Sequence, residues 1–297
     1  MDRRGFLIGA GALLATGCAR VQPPALTATP QPSTPTAVPF VIGSDDTPAG
    51  AMLAELVVVA LAASGRTAST TAVDSDWQAA LGDGGLSVVP AYARTVWAEL
   101  SGDAEPPAAD ALLSATASLL APEVSTLAAS GVDASLVWMV TSATAADGIT
   151  SLDHMEKWSK GKTAAVPVAA LSRADGVPGL KTAYGTSFTI AKVEDPVSRA
   201  TQLLDGQVDI AAFRRTEYTR ASGLVTLADP DELGAPDPLV FLLNAGLGES
   251  DPDAVLIVNS LAQLLNTNRL LGLQSKVMSG QDRSAVATAW LQLNGLA

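Results

Sequence analysis

Short apolar runs alternate with longer helical patterns along the chain from residue 40 to its end. Such runs, separated by turn residues and by segments of helical periodicity, are typical of strands that alternate with helices. The alternation therefore predicts an α/β fold with a largely parallel sheet. The predicted strands are residues 40–44, 86–89, 136–141, 163–168, 208–213, 224–227 and 239–243. The predicted helices are residues 51–64, 106–120, 197–205, 252–267 and 282–293.

Two of the apolar runs, residues 136–141 and 239–243, bracket a middle block with strands and helices of its own. This arrangement predicts two lobes joined by two crossing segments. The first lobe would contain residues 40–138 and 242–297, and the second would contain residues 139–241. Helix N-termini that face a cleft between such lobes would bind an anion or a polar group through their free amides.

The N-terminus carries an export signature. Arg3 and Arg4 stand before an apolar stretch that ends at Cys18. This layout predicts a secretory signal peptide, because a membrane-spanning helix needs about twenty apolar residues. The arginine pair resembles a twin-arginine export signal. The small residues before Cys18 resemble a lipobox, although Ala15 replaces its usual leucine. We therefore predict a signal peptide at residues 1–18 whose cysteine is lipidated.

Cys18 is the only cysteine, so the chain forms no internal disulfide. Lipidation gives this residue a use, and the alternative is an incidental thiol within a cleaved signal peptide. Residues 19–39 are rich in proline and threonine and poor in large apolar side chains, which predicts an extended tether. The expected location is the extracytoplasmic face of the cell membrane, where a lipid anchor would hold the domain.

The charge and the single histidine of the chain narrow the function classes. A net charge of −12 argues against nucleic acid as a partner, because Lys and Arg supply most of that affinity. The only histidine, His154, excludes metal sites built on several histidines, and we expect it on a surface helix capped by Ser151. The sequence has no G-x-S-x-G, P-loop or G-x-G-x-x-G motif. We expect neither an enzyme nor a bound metal or cofactor.

Several short motifs follow one another over most of residues 40–297. They are the opening at residues 43–65, GGLSVVPAYART at residues 84–95, SRADGVPGL at residues 172–180 and GQVDIA at residues 206–211. In order and spacing, these motifs resemble the osmoprotectant-binding proteins of ABC importers, the glycine betaine, carnitine and choline group.

The resemblance implies a two-lobed periplasmic-binding-protein fold, with two mixed sheets and a hinge, that closes on its solute and delivers it to a membrane permease. In that family an aromatic cage holds a quaternary ammonium group by cation–π attraction. By position, the resemblance implies Tyr92 and Phe213 as stacking faces. We predict Ser44 and Arg214 as polar contacts beside them. We expect a monomer that binds a small-molecule solute and an ABC permease.

The binding motifs depart from the family pattern at several positions. Residues 44–50 lack the family's glutamine, and Arg94 replaces a glycine. Arg214 and Arg215 follow Phe213 where the family has serine and threonine. Arginines in the cleft would repel a quaternary ammonium group. Two interpretations stay open for them: the guanidinium groups bind a carboxylate or a phosphate, or they project into water.

The remaining large aromatic residues also leave two interpretations open. They are either substitute walls of the cage or core side chains: Trp77, Trp97, Trp138 and Tyr218. The predicted solute is therefore an osmoprotectant-like quaternary ammonium, or another zwitterion or anion. The alternative function is a solute-binding fold that binds no solute and serves as a structural or regulatory lipoprotein of the cell envelope.

Overall fold

The computed structural model describes residues 39–73, 75–102 and 107–297. The predicted signal peptide, Cys18 and all of the predicted tether except Pro39 lie outside these residues. The strands are β1 (Phe40–Ser44), β2 (Ala68–Ala72), β3 (Val88–Tyr92), β4 (Val124–Thr126), β5 (Leu136–Thr141), β6 (Thr163–Val166), β7 (Thr189–Lys192), β8 (Ile210–Arg214), β9 (Leu224–Thr226) and β10 (Leu239–Asn244). The α-helices are α1 (Pro48–Ala63), α2 (Trp77–Gly82), α3 (Ala93–Ser101), α4 (Ala109–Leu120), α5 (Ser142–Ala146), α6 (Met155–Trp158), α7 (Val177–Tyr184), α8 (Pro196–Leu204), α9 (Leu247–Ser250), α10 (Pro252–Leu264), α11 (Thr267–Met278) and α12 (Arg283–Leu293).

The strands form two sheets of five with the same arrangement. The first has the order β2-β1-β3-β10-β4, in which β1 is parallel to β2 and β3, whereas β10 is antiparallel to β3 and β4. The second has the order β7-β6-β8-β5-β9, with β6 parallel to β7 and β8 and β5 antiparallel to β8 and β9. Both sheets are therefore mixed, as the resemblance implies, and the largely parallel sheet predicted from the alternation alone is wrong.

The antiparallel strands are the ones that arrive from the other lobe. Leu239, the first residue of β10, pairs with Tyr92, the last residue of β3. In the same way Leu136, the first residue of β5, pairs with Arg214, the last residue of β8. A strand whose first residue pairs with the last residue of its neighbour is antiparallel to that neighbour. Each of these two strands lies entirely within its own sheet. The predicted lobe boundaries, after residues 138 and 241, fall inside β5 and β10.

The two crossing segments, residues 131–135 and 236–238, are bonded to each other. The amide of Leu239 donates to the carbonyl of Val132, and the amide of Ala134 donates to the carbonyl of Asp237, each at 2.9 Å. The amide of Asp237 donates to Oδ1 of Asp133, also at 2.9 Å. These bonds make one two-stranded connection between the lobes.

The helix α1 shows how the sequence builds the first lobe. Thr47 accepts a hydrogen bond from the amide of Gly50, and Pro48 occupies the first helical position, where its missing amide costs nothing. Most side chains of α1 are buried, because the sheet and the helices α10, α11 and α12 pack around it. Gly65 ends the helix with a φ of 83°, as predicted from its position.

Each sheet is covered by hydrophobic side chains on both faces. In the first lobe one face packs against α1 and the C-terminal helices, and the other packs against α2, α3 and α4. In the second lobe Trp138, Ile210 and their neighbours form one core, whereas Val137, Phe213 and Leu203 form the other. Each lobe therefore has its own core.

Other predictions from the sequence can be compared directly. Residues 252–267 form not one helix but α10 and the start of α11, because Asn266 caps a new helix there. Ser151 accepts a hydrogen bond from the amide of Asp153 and begins a short helical segment on which His154 is exposed, which confirms that prediction. Within the part of the chain that the structure describes, no helix has the length and apolar character needed to span a bilayer.

Candidate solute-binding cleft

The residues that the sequence analysis singled out lie at the carboxyl ends of strands. Ser44 ends β1, Tyr92 ends β3, and Arg214 ends β8. In α/β proteins ligands bind outside this edge of a sheet, because the helix N-termini and the loops between elements converge there. The structure extends this set with Thr95 at the start of α3.

Tyr92 and Arg214 meet across the two lobes. The guanidinium carbon of Arg214 lies 5.8 Å from the ring centroid of Tyr92, within the range of a cation–π contact. The hydroxyl oxygen of Tyr92 is buried and has no hydrogen-bond partner among the described residues. Thr216 lies close to it but without the geometry of a hydrogen bond. Burial raises the pKa of Tyr92, so the phenol stays protonated and remains a donor.

Two arginines of the second lobe converge on one hydroxyl of the first. Nη1 of Arg173 lies 3.3 Å from Oγ1 of Thr95, and both Nη atoms of Arg214 lie 3.5 Å from the same oxygen. Asp175 holds Arg173 in a two-bond fork at 2.7 and 2.6 Å, and this hydrogen bond raises the pKa of Arg173. Among the described residues the guanidinium of Arg214 makes no hydrogen bond as short as those from Arg173 to Asp175, so its N–H donors are less well satisfied than those of Arg173.

Asp237 supplies a fixed negative charge behind these arginines. Its side chain is fully buried and accepts hydrogen bonds from the amides of Arg94 and Thr95, at 2.8 and 3.3 Å, and from Oγ1 of Thr95, at 2.7 Å. A carboxylate is stabilised at this place because it receives the free amides at the N-terminus of α3. Its Oδ2 lies 3.7 Å from Nη1 of Arg214. Asp237 thus connects a crossing segment, α3 and the second lobe.

Phe213 lies in a different environment from its neighbour Arg214. Successive side chains of a strand point to opposite faces, and Phe213 packs into the second-lobe core with Val137 and Leu203. Its side chain is 1% exposed, and the guanidinium carbon of Arg199 lies 5.2 Å from its ring centroid. Its own core and Arg199 therefore cover almost all of the ring of Phe213, which otherwise only borders a cavity beside Asp133 and Arg215.

Ser44 lies at the edge of the cleft and uses its hydroxyl locally. Its Oγ donates to the carbonyl of Asp45 at 2.9 Å. The carboxylate of Asp45 accepts from the amide and hydroxyl of Thr47 and lies over the first turn of α1, where a Cβ on Gly50 would stand 1.8 Å from it. Asp45 is also close enough to Tyr92 to contribute to its raised pKa. Negative charge therefore reaches the cleft from the first lobe.

The other two arginines brace the crossing segments. Nε of Arg94 donates to the carbonyl of Pro236 at 3.1 Å. Nε of Arg215 donates to Oγ of Ser135 at 2.9 Å and lies 3.5 Å from Oδ2 of Asp133. Of the three arginines considered from the sequence, Arg214 is the one whose guanidinium contacts Tyr92 and Thr95 among the described residues.

The remaining aromatic residues are structural. Trp77 and Trp138 are 7% and 3% exposed and belong to the cores of the two lobes, and Trp97 packs against the same core as Trp77. The hydroxyl of Tyr218 accepts a hydrogen bond from Ser275 of α11 at 3.0 Å. The core interpretation is thus correct for the three tryptophans, and Tyr218 belongs to a contact between the lobes.

Two cavities of about 430 Å³ each flank the crossing segments. They share Val137 and Arg215 and do not include Tyr92. The acids that line the first, Asp133 and Glu217, are already paired with arginines. Arg214 also lines the first cavity. The candidate solute site is the set of Tyr92, Thr95, Arg173, Arg214 and Asp237, the cleft residues, where arginine donors with contacts of 3.3–3.7 Å converge.

Sequence reasoning missed three of these cleft residues. Arg173 and Thr95 stand within motifs that resemble the osmoprotectant-binding proteins, and Asp237 stands between two prolines. For Arg173 and Thr95, the only indication in the sequence was their position within these motifs. Their convergence depends on the packing of the two lobes, which no local pattern reports. Within the described residues, no group of three or more His, Cys, Asp or Glu side chains could hold a metal ion.

Comparison with known families shows the class of protein to which the chain belongs. The family described as the substrate binding domain of ABC-type glycine betaine transport systems matches residues 38–293. The chain belongs to this family. It is therefore a substrate-binding domain of an ABC transport system and not an enzyme. No match was found among curated protein sequences.

Solved structures show the fold of the family. A glycine betaine/carnitine/choline ABC transporter protein has a TM-score of 0.74 at 18% identity, over 86% of this chain and 99% of that one. Apo YehZ from Escherichia coli gives 0.69 at 19% identity, over 88% and 100%. A closed lactococcal OpuAC bound to glycine betaine gives 0.62 at 14% identity, over 86% and 96%. These likenesses confirm the two-lobed fold implied by the resemblance.

Proposed function

We propose that the chain is the extracytoplasmic receptor of an ABC importer and that its cleft binds a small zwitterion or anion through a carboxylate. The partners are that solute and an ABC permease, and the receptor is a monomer. Cys18 carries a lipid that holds the domain at the extracytoplasmic face of the cell membrane. The proposal rests chiefly on the convergence of Arg173 and Arg214 on Thr95.

The donors in the cleft suit a carboxylate. Arg173 offers Nη1 beyond its fork with Asp175, and Arg214 offers both Nη atoms, whose nearest partners in the cleft are 3.5 and 3.7 Å away. The hydroxyl of Tyr92 is a further donor with no partner among the described residues. Arginine forks and hydroxyl donors match the planar, acceptor-only geometry of a carboxylate. Ser44 borders this set from the end of β1.

The acids of the cleft are compatible with a second, positive group on the solute. Asp237 and Asp45 add negative charge on the first-lobe side, and the arginines add positive charge on the second-lobe side. A zwitterion that bridges the lobes would meet the opposite charge at each end. A simple anion would use the arginine side alone.

The test is a thermal-shift and calorimetry screen of betaines, amino acids, organic acids and polyols, preceded by native mass spectrometry of freshly purified protein. A true solute at one hundred times its Kd should stabilise the fold by about 2.7 kcal/mol. Arg173→Met should then weaken binding by about tenfold or more, because charge-assisted hydrogen bonds are lost. Arg94→Met is the matched control, since its side chain bonds to the carbonyl of Pro236. Equal losses in both variants would contradict the proposed site.

The anchor has its own test. Cys18→Ala in the full chain, expressed in a lipoprotein-processing bacterium, should move the protein from the membrane fraction to the soluble fraction. A protein that stays in the membrane fraction without Cys18 would contradict lipidation at this residue. This result does not depend on which solute is bound.

A second candidate function is a solute-free envelope lipoprotein. It is favoured by direct contacts between the lobes: Nε2 of Gln274 in α11 donates to the carbonyl of Thr216 at 2.9 Å, and Ser275 donates to Tyr218. If no solute is retained in native mass spectrometry and none in the screen shifts the melting temperature, this candidate replaces the importer receptor.

A further inference from the structure

We propose that Arg214 is the specificity-determining residue of the cleft: its guanidinium occupies the ring face of Tyr92 as a tethered cation and so excludes quaternary ammonium solutes. The inference rests on the proposed solute site. It narrows the solute to an anion, or to a zwitterion whose positive group is not a quaternary ammonium.

The contact itself carries the first step. Quaternary ammonium groups are recognised when they rest on aromatic faces at about 6 Å or less from the ring centroid. Arg214 makes that same contact with Tyr92 from within the chain, at 5.8 Å. A choline or glycine betaine headgroup on this face would have to displace the guanidinium or stand beside a like charge.

Arg214 is held in this place from two sides. Its amide donates to Oε2 of Glu217 at 3.0 Å, which fixes the backbone at the end of β8. Its guanidinium faces the buried carboxylate of Asp237 at 3.7 Å. Moving the guanidinium away would take a counter-charge from the fully buried carboxylate of Asp237, which water cannot solvate instead. The tethered cation therefore competes with a solute at a very high local concentration.

The second aromatic position implied by the resemblance is covered in the same way. Arg199 lies on the ring of Phe213, and both side chains are almost fully buried. Neither ring is free to receive a solute cation. The N–H groups of Arg214 lie in the plane of its fork, so a guanidinium on a ring still offers them to a carboxylate. Arg214 thus blocks the ring of Tyr92 for a solute cation and at the same time offers N–H donors to a solute carboxylate.

The experiment compares wild type with Arg214→Met, which keeps the length of the side chain and removes its charge. The probes are choline and glycine betaine, measured by thermal shift and by calorimetry. We expect wild type to bind choline at least tenfold more weakly than Arg214→Met does. The gain should be lost in the double variant Arg214→Met/Tyr92→Ala, because the ring face is then missing.

Two further variants keep the inference open to contradiction. Arg214→Lys retains a cation and should still exclude choline, and Arg215→Met removes the adjacent arginine, which braces Ser135, and should leave choline binding as in wild type. Choline binding of wild type equal to that of Arg214→Met would overturn the inference, as would an equal gain in Arg215→Met. If Arg214→Met unfolds, Arg214→Gln takes its place under the same expectations.

The outcomes separate this inference from the proposed function. Wild type that binds a carboxylate solute, together with no gain of choline binding in Arg214→Met, sinks the inference and leaves the function standing. A gain of choline binding in Arg214→Met, together with no solute for wild type, sinks the proposed carboxylate function and leaves the inference standing.

Discussion

The chain uses one chemical pair in two regions. Tyr92 with Arg214 and Phe213 with Arg199 are both aromatic rings with a guanidinium at cation–π distance, 5.8 and 5.2 Å. The first pair bridges the two lobes at the cleft. The second lies inside the second lobe, where the side chain of Arg199 is fully buried.

The difference lies in the strength of the hydrogen bonds that the Nη atoms of each guanidinium make, although the buried Nε of Arg199 has no partner among the described residues. Arg199 donates to the carbonyls of Val193 and Glu194, at 2.8 and 2.5 Å, and to Glu217 at 2.5 Å. Arg214 is 25% exposed, and its guanidinium reaches only contacts of 3.5 and 3.7 Å. A charge with strong fixed partners is part of the structure, whereas a charge with long contacts can exchange them for a ligand. Arg199 is therefore structural in the core, whereas the proposed function assigns Arg214 in the cleft to the solute.

The largest effect should come from breaking the core pair. Glu217→Ala should lower the free energy of unfolding by about 3–5 kcal/mol, because it leaves the buried charge of Arg199 without its counter-charge. Arg199→Met should cost less, about 1–3 kcal/mol, because the side chain of Glu217 is 21% exposed and water can solvate it. Urea denaturation of both variants measures the difference. A larger loss in Arg199→Met would show that the pair does not stabilise the lobe in this way.

The cleft pair should respond differently. Tyr92→Phe removes a buried hydroxyl that has no partner among the described residues, so the solute-free protein should gain up to about 1 kcal/mol of stability. The affinity for a carboxylate solute should fall by about tenfold, or about 1.4 kcal/mol, because a donor is lost.

Tyr218→Phe is the matched control for this prediction. Its hydroxyl is bonded to Ser275, so its loss should lower stability by about 1 kcal/mol and leave solute affinity nearly unchanged. Thermal denaturation and calorimetry measure both quantities. If Tyr92→Phe destabilises the solute-free protein as much as Tyr218→Phe does, the hydroxyl of Tyr92 has a partner that the cleft geometry does not show.

A third arginine, Arg66, forms an ion pair at the surface, and breaking this pair should have the smallest effect on stability. Arg66 forms a fork with Asp251 at 2.7 and 2.6 Å, and this hydrogen bond lowers the pKa of Asp251. Because the folded pKa lies below the unfolded value, the stabilisation is present above about pH 4 and is lost as the pH falls through the folded pKa. Arg66→Gln should cost about 0.5–1 kcal/mol at neutral pH. Unfolding curves at pH 7 and at strongly acidic pH should show this difference at pH 7 and almost none in acid; a constant difference would contradict it.

The elements with buried apolar patterns were predictable from the sequence. The strand at residues 136–141 is found with the predicted ends, and α8 and α12 begin within one residue of the prediction. The strand β2 was missed because its sequence, ASTTA, is almost entirely exposed at the sheet edge and shows no apolar run. The helix α11 was missed because few of its side chains are buried, one of them Gln274. Hydrophobic periodicity reports burial, and these elements have little of it.

Some residues of the candidate cleft could be predicted from the sequence, and others could not. Tyr92 and Arg214 could be predicted, because a motif and the end of a strand mark each of them. Thr95 and Asp237 could not, because Thr95 lies in the first turn of α3 and Asp237 reaches that turn from a segment 142 residues away in sequence. Phe213 was placed at the right strand, but local pattern alone does not tell which face of the sheet is covered from within.

The sequence by itself determined the α/β class, the two-lobed organisation, the family motifs and the strand ends at which side chains for a solute would stand. The α/β class follows from the spacing of apolar runs along the chain, and the strand ends expected to bind a solute follow from the resemblance of the motifs to a known family. Only the tertiary structure decided that Arg214 rests on Tyr92, that Arg199 covers Phe213 and that Asp237 lies buried behind the cleft. Such contacts join residues as far apart as 143 positions. Whether an arginine is fixed in the structure or can bind a ligand depends on the partners that folding brings within hydrogen-bond distance.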